Sequence, residues 1–424
     1  MARAPSAEHI PRPVLVTLLL LIGLNLLNYL DRYLLPGTQA LIQREFHVDD
    51  QSVGALTTAL FLAYMFTAPL TGWLGDRFRR KPLIVGGAVL WSLATLFTFW
   101  VHDYWSLYLR HALVGVGEAT FGIFAPAVLS DFFPARERNR ILSIFYLAIP
   151  VGAALGYLIG GQLGGRYGWR MPFFVGAIPG LMLAAGYALW GAEPERGASE
   201  QTMASERRWS MKGFLNLLRN PAYLYSTLGM AMMVFTLGGI SAWMPTFLHR
   251  FAGMSVAEAG TVLGGITVVD GLAGTWIGGW LAQRWLRSNH RALYLLSAWS
   301  MLLTLPFAAM VFFGPPRWSL AALFVAEFCL FLNTGPLNAA ICNSVSAVVR
   351  SSAIGLNLFL IHLLGDTFSP QIIGAISDRA NLRVGLGATL VTLIVSALLL
   401  FLGARFAPLL EPAPLSAMEP VSDN

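Results

Sequence analysis

Long apolar runs separated by short polar loops dominate the pattern of this chain. Twelve runs of about 20 residues can be placed, which is the length that an α-helix needs to cross the hydrocarbon core of a bilayer. The pattern predicts an all-α membrane protein with twelve transmembrane helices, numbered here span 1 to span 12. The runs cover about 14–36, 52–74, 83–101, 104–130, 140–164, 170–191, 222–248, 257–283, 291–313, 317–341, 351–376 and 382–406.

The first run predicts a retained helix, because no small-residue cleavage site follows it. We expect this helix to continue past Pro36 with a kink, since the sequence TQALIQ that follows is mostly uncharged.

Composition supports a membrane protein and excludes a soluble globular one. Only 12% of the 424 residues are charged, against about 25% in ordinary soluble domains. Cys329 and Cys342 lie in one apolar segment, which favours neither a disulfide framework nor a metal site. No GxxxxGK[ST] run is present, so we expect no nucleotide and no other cofactor.

The positive charges predict an orientation in the membrane. Most of the 28 Lys and Arg residues fall in loops on one side, which explains the basic balance without nucleic acid. The positive-inside rule places both termini in the cytoplasm of a bacterial inner-membrane protein.

Two pseudo-symmetric six-helix bundles are expected at residues 1–191 and 222–424, with a cytoplasmic linker at 192–221 between them. The linker, with Trp209, Phe214, Leu217 and Leu218 among basic residues, is either an amphipathic helix on the inner leaflet or a simple tether.

The loop between spans 2 and 3 carries a charged motif, GWLGDRFRRK. It resembles the loop 2–3 signature of the major facilitator superfamily, except that Arg79 stands where the family usually has a second glycine. Two six-span halves with the substrate bound between them are the plan of that superfamily. A solvated positive-inside loop explains the arginines but not the aspartate, so we interpret the motif as a conformational gate. The predicted gate residues are Gly72, Asp76, Arg77, Arg80 and Lys81.

Four further stretches resemble the spinster family, whose animal members move lysolipids and sphingoid phosphates. They are NYLDR at 28–32, LVGVGEATF at 113–121, ILSIFYLAIPVGAALGY at 141–157 and IHLLGDTFSP at 361–370. Organic-anion symporters of the superfamily carry a string similar to the first stretch, so the last two stretches are the ones that distinguish the spinster family. The resemblance implies a transporter with lipid-like cargo.

Polar residues in span 1 predict the binding site. Asn25, Asn28 and Arg32 are spaced to share one helix face, which we expect to line a wet cavity, whereas Asp31 lies about 100° away. A charge at this depth needs a partner, and Glu118 in span 4 is the natural one for Arg32. Arg110 could compete for Glu118 or anchor span 4 at the membrane surface. Substrate binding is predicted for Arg32, Asn28, Asn25, Glu118 and Phe121, and proton coupling for Asp31 and Glu118.

Span 11 carries a second titratable pair, His362 and Asp366, four residues apart on one face. It is either a proton site or a hydrogen bond between helices. Asp270 in span 8 is a further candidate. Glycines at every fourth position of span 5 predict close helix packing and loosely resemble the antiporter signature of the superfamily. They are Gly152, Gly156 and Gly160.

These observations predict a secondary active transporter that works by alternating access, is driven by protons and moves an amphiphilic anion. We expect it to be a monomer in contact with membrane lipids. One alternative is a small organic-anion symporter on the same fold. A more distant one is an intramembrane hydrolase using His362, Asp366 and Ser369, disfavoured because serine and base share one helix. A receptor that does not transport remains the third.

Overall fold

The computed structural model describes residues 10–133, 135–195, 217–345 and 349–409. Within these ranges the chain is helical, and twelve helices are long and apolar enough to cross a membrane, as predicted. The spans are Arg12–Phe46, Asp50–Gly75, Arg80–Trp100, Tyr104–Phe132, Arg140–Tyr167, Arg170–Trp190, Pro221–Phe251, Val256–Leu286, Ala292–Phe313, Pro316–Asn343, Ala353–Arg379 and Leu382–Phe406.

Span 1 is a single helix of 35 residues that contains Pro36, so the predicted continuation past this proline is confirmed. It ends where His47 adopts a left-handed conformation with φ 52°. Span 2 begins directly afterwards, and the Asp49 side chain caps it by accepting a hydrogen bond from the backbone N–H of Ser52 at 2.8 Å. Spans 1 and 2 therefore turn tightly at one membrane face.

Three spans are interrupted, and in span 11 the interruption has a cause in the sequence. Pro370 lacks a backbone N–H, and Gly365, which precedes it in the π turn, has non-helical angles of φ −101° and ψ −106°. Irregular backbone at membrane depth is tolerated where it is buried in protein or lines a cavity. The helices on either side of the break are Ala135–Tyr146 and Ala148–Tyr167 for span 5, and Pro316–Phe331 and Thr334–Asn343 for span 10. For span 11 they are Arg350–Ile361 and Ser369–Arg379, with a π turn at His362–Asp366 between them.

The glycines of span 5 bring it against span 1, which confirms the packing prediction. A Cβ on Gly156 would lie 2.5 Å from the backbone oxygen of Leu30, and one on Gly160 would lie 3.2 Å from the Cα of Gly37. On its other side span 5 meets span 8 of the second half, where a Cβ on Gly161 would lie 3.0 Å from the Cα of Gly260. Span 5 is therefore packed both within its own half and across the two halves.

Two faces of the molecule are distinguished below. The terminal face carries the start of span 1 and the end of span 12, and the opposite face carries the turn from Phe46 to Asp50. Trp209 and Phe214, on which the amphipathic-helix prediction depends, lie outside the described residues, so that prediction stays open.

Candidate functional site

A cavity of about 250 Å³ lies between the two six-span halves. Its wall is mostly apolar, with charged and titratable groups on two sides: Asp31 and Arg32 from span 1, and His362 and Asp366 from span 11. A few precisely placed polar groups in an apolar pocket are typical of a small-molecule site. Further lining residues are Tyr29, Leu60, Phe61, Thr95, His111, Val114, Pro150, Val234, Leu237, Thr267 and Phe331.

Arg32 lines this cavity and forms an ion pair with Glu118, which does not line it. The Arg32 Nε donates to Glu118 Oε2 at 2.5 Å, with the Arg32 side chain 15% exposed and Glu118 completely buried. The predicted pairing is confirmed. Arg110 does not compete for Glu118, because its guanidinium carbon lies 5.7 Å from the ring centre of Phe97 instead.

Three aromatic rings surround the Arg32 guanidinium group. Its Cζ atom lies 5.0 Å from the ring centre of Tyr29, 5.4 Å from that of Tyr64 and 5.5 Å from that of Phe61. Such cation–π contacts stabilise a cation without using its N–H donors. Within the described ranges, the hydrogen bond to Glu118 is the one that the guanidinium group makes, so its terminal N–H groups are available to an anion.

The other polar residues of span 1 divide between the cavity and the helix packing. Asp31 lines the cavity and accepts a hydrogen bond from Thr95 Oγ1 at 3.3 Å, while Asn28 is buried beside Glu118. The prediction that Asn25 lines the cavity is wrong, because its amide donates to the backbone oxygen of Phe145 at 2.8 Å and ties span 1 to span 5. An unpaired amide within the membrane is costly, and this bond satisfies it.

Phe121, also predicted at the binding site, is 1% exposed and does not line the cavity. It packs edge-on against Trp91, with ring centres 5.4 Å apart. Its position supports the packing of spans 3 and 4 behind Glu118.

His362 and Asp366 form the predicted pair at the π turn of span 11. The imidazole Nδ1 lies 2.9 Å from Asp366 Oδ1, and both residues line the cavity. The imidazole ring stacks on Phe61 with ring centres 5.6 Å apart, and Phe61 is also one of the rings around Arg32. Arg32 of the first half and His362 of the second half therefore both lie against a single aromatic ring.

Spans 8 and 10 each carry one buried carboxyl group that does not line the cavity. Asp270 is completely buried and Glu327 is 5% exposed, and they are near enough to interact electrostatically. Within the described residues, neither Asp270 oxygen nor Glu327 Oε2 has a hydrogen-bond partner. Sequence analysis singled out Asp270 but missed Glu327, which a search for charges inside apolar spans would have found.

The predicted gate motif makes its described contacts within the first half. Arg80 pairs with Asp131 at 2.5 Å, and the Lys81 ammonium group donates to the backbone oxygen of Gly191 at 2.7 Å. Arg77 stacks on Trp73, with its guanidinium carbon 3.9 Å from the ring centre. The surroundings of Gly72 and the side chain of Asp76 lie outside the described part of the structure, so the gate role of the motif stays a prediction.

A second charged network, on the opposite face, was missed by sequence analysis. Arg250 at the end of span 7 binds Asp50 at the start of span 2, with distances of 2.7 and 2.9 Å. Gln43 and Ser377 also bind Asp50, at 2.6 and 2.5 Å. In the positive-inside argument Arg250 is an ordinary loop residue. Its partner Asp50 lies 200 positions away, and no local sequence pattern identifies it.

Twelve spans around a central cavity with buried charges define a membrane transporter. The family model of the Major Facilitator Superfamily matches residues 21–370. The chain is 34% identical over 388 residues to Protein spinster homolog 1 of Xenopus laevis, covering 86% of this chain and 73% of the relative. It is 34% identical over 378 residues to the Sphingosine-1-phosphate transporter SPNS2 of Danio rerio, covering 84% and 74%. The chain therefore belongs to the spinster family of the major facilitator superfamily, and it is a transporter and not an enzyme.

Solved structures confirm the fold. A bacterial homologue of the human lysosomal transporter spinster, in an inward-facing and unoccupied conformation, superposes with a TM-score of 0.85 at 22% identity, covering 94% of this chain and 98% of that one. A D-xylose–proton symporter superposes with a TM-score of 0.74 at 16% identity, covering 93% and 98%.

Proposed function

We propose that this transporter moves an amphiphilic anion, of the lysophospholipid or sphingoid-phosphate class, by proton-coupled alternating access. The observation that carries the proposal is Arg32, which lines an apolar cavity between the halves and is paired with the buried Glu118. We place the transporter in a bacterial inner membrane with both termini in the cytoplasm. The support is the positive-inside rule, because most Lys and Arg residues fall in loops on one side.

The anionic headgroup would bind to Arg32. A guanidinium group presents parallel N–H donors that match phosphate and carboxylate oxygens, and those not used by Glu118 are available. The rings of Tyr29, Phe61 and Tyr64 hold the group in place, so little side-chain entropy is lost on binding.

Proton coupling would follow from competition for Arg32. An ionised Glu118 holds Arg32, whereas a protonated Glu118 no longer attracts it electrostatically. Proton binding and anion binding would therefore favour the same arrangement of the site. Asp31, which lines the cavity, and the His362–Asp366 pair supply further groups that can take up a proton.

The tail of a bound lipid would extend beyond the cavity. A volume of about 250 Å³ is below the roughly 300–1,000 Å³ of common ligand pockets, so a long acyl chain would extend between the spans. The relative in zebrafish is described as a sphingosine-1-phosphate transporter, which supports a cargo with an anionic head and a long tail.

The same volume favours one alternative. A small organic anion would fit the cavity without extending beyond it, and it would use Arg32 in the same way. A proton-coupled organic-anion symporter is therefore the second candidate function.

Reconstitution in liposomes with an imposed pH gradient distinguishes the lipid-anion transporter from the small organic-anion symporter. We expect a labelled lysophospholipid to move, a labelled small carboxylate to remain, and Glu118→Gln to abolish gradient-driven movement. Movement of the carboxylate alone would support the second candidate. The matched control is Glu45→Gln, because Glu45 pairs with Arg170 away from the cavity.

A further inference from the structure

Spans 8 and 10 pack side by side in the second half, and they run in the same direction because successive spans alternate. A Cβ on Gly274 of span 8 would lie 2.8 Å from the Cβ of Phe331 and 3.0 Å from the backbone oxygen of Phe328. Asp270 lies one turn before Gly274, and Glu327 directly precedes Phe328. The two carboxyl groups therefore lie at a similar depth between two parallel helices, where they interact electrostatically.

This carboxyl pair lacks compensation from the protein. Within the described ranges, neither Asp270 nor Glu327 takes part in an ion pair. Both Asp270 oxygens and Glu327 Oε2 are buried and have no hydrogen-bond partner in the described part of the chain. Buried polar atoms without a partner indicate a group that completes them. Two carboxyl groups this close do not both ionise in a medium of low dielectric constant, so the pair would carry one negative charge.

Thr267 connects the pair to the central cavity. It lies one turn before Asp270 on the same face of span 8, and its side chain lies against the Glu327 carboxyl group. Thr267 is 7% exposed and lines the cavity, as does Phe331 on span 10. Its hydroxyl group is a third oxygen at the pair and marks the side from which a small ion would enter.

The break in span 10 adds negative potential at the same place. The first half-helix ends at Phe331 and the second begins at Thr334, so Glu327 belongs to the last turn before the break. Carbonyl groups at the end of a helix carry a negative partial charge. The carbonyl of Leu332 also lacks its helical donor, because Pro336 one turn later has no N–H. Interrupted helices whose carbonyl ends face a cation occur near the midplane of transporters.

We propose that Asp270, Glu327 and Thr267 form a binding site for a monovalent metal cation of the sodium type, which enters from the central cavity. Carboxylate, hydroxyl and carbonyl oxygens are the ligands that such hard cations prefer. One positive charge balances the single negative charge of the pair, whereas a divalent ion would leave excess charge in the interior. The site is separate from Arg32 and Glu118, so it goes beyond the proposed function and does not depend on the cargo.

Thermal unfolding tests the site without any cargo. The purified protein is compared in sodium chloride and in N-methylglucamine chloride at equal ionic strength, because the organic cation is too bulky for a buried site. A ligand that binds only the folded protein raises its unfolding temperature, and we expect saturating sodium to raise it by about 2 °C or more. Equilibrium binding of radioactive sodium should give one ion per chain.

Three variants address the three side chains. Asp270→Asn and Glu327→Gln keep the size of each side chain but remove its charge, so each should abolish the sodium shift. Thr267→Val keeps the shape and removes one oxygen, which should weaken sodium binding by about fivefold to tenfold. The matched control is Glu118→Gln, which removes a buried carboxyl group of the first half and should keep the parental sodium shift.

Equal unfolding temperatures of the parent in the two salts would overturn the proposal. So would a parental sodium shift in Asp270→Asn and Glu327→Gln, because sodium would then act elsewhere. Stabilisation of the parent by lower pH, without any effect of sodium, would also overturn it, since the pair would then hold only protons. A failure of the lipid-anion proposal would leave these measurements unaffected, so the two failures can be told apart.

Discussion

Arg32, which lines the central cavity, and the buried Glu118, 86 positions away in the chain, form an ion pair at 2.5 Å. Removing one member of a buried pair leaves the other without compensation, so neither residue can be changed without altering the charge of the site. Arg32 and His362 of the other half both lie against the ring of Phe61.

Arg32→Ala should reduce transport of an anionic cargo by about 10- to 100-fold, because charge-assisted hydrogen bonds to the headgroup are lost. The measurement is uptake into proteoliposomes, with folding checked by size-exclusion chromatography. Arg110→Ala is the control, since Arg110 lies against Phe97 and not against Glu118. Equal transport by Arg32→Ala and the parent would remove Arg32 from the binding site.

His362→Gln should flatten the dependence of transport on pH. Histidine changes its charge between about pH 5 and pH 8, and glutamine keeps a polar group without titrating there. Transport rates measured across this range give the result. His111→Gln is a matched control, because His111 lines the same cavity but its Nδ1 is occupied by the backbone oxygen of Leu107 at 3.0 Å. A parental pH profile in His362→Gln would favour a purely structural role for the pair.

Glu327→Gln should leave thermal stability unchanged or raise it by about 1 kcal/mol, because Glu327 and Asp270 are buried carboxyl groups without a cation among the described residues. Glu118→Gln should lower stability, since it breaks an ion pair. Thermal unfolding in detergent compares the two. A marked loss of stability in Glu327→Gln would mean that its ionised form is compensated in the folded protein.

Gly156→Ala should destabilise the protein by about 1–3 kcal/mol, because the new Cβ would lie 2.5 Å from the backbone oxygen of Leu30 and force spans 1 and 5 apart. Gly265→Ala in span 8 should be neutral, as an added Cβ there meets nothing within 4 Å. The unfolding temperatures of the two variants give the comparison, and equal values would contradict the packing argument.

Features that depend on composition and spacing along one helix could be predicted from the sequence. Twelve apolar runs determine twelve spans, because the thickness of the bilayer sets the length of each. The His362–Asp366 contact follows from helical spacing, since residues four apart share a face. The Arg32–Glu118 pair could be predicted too, because a charge deep in a span requires a partner and few were available.

Contacts between distant spans were decided only by the tertiary structure. Asn25 was predicted to line the cavity with Asn28 and Arg32, but its amide binds the backbone oxygen of Phe145 instead. Side chains on one helix face meet different neighbours at different depths in the membrane. The binding of Arg250 and Asp378 to the start of span 2 has no local signal, since both residues resemble ordinary loop charges until the halves meet. Spacing specifies which groups share a helix face, whereas the packing of helices determines what each face meets.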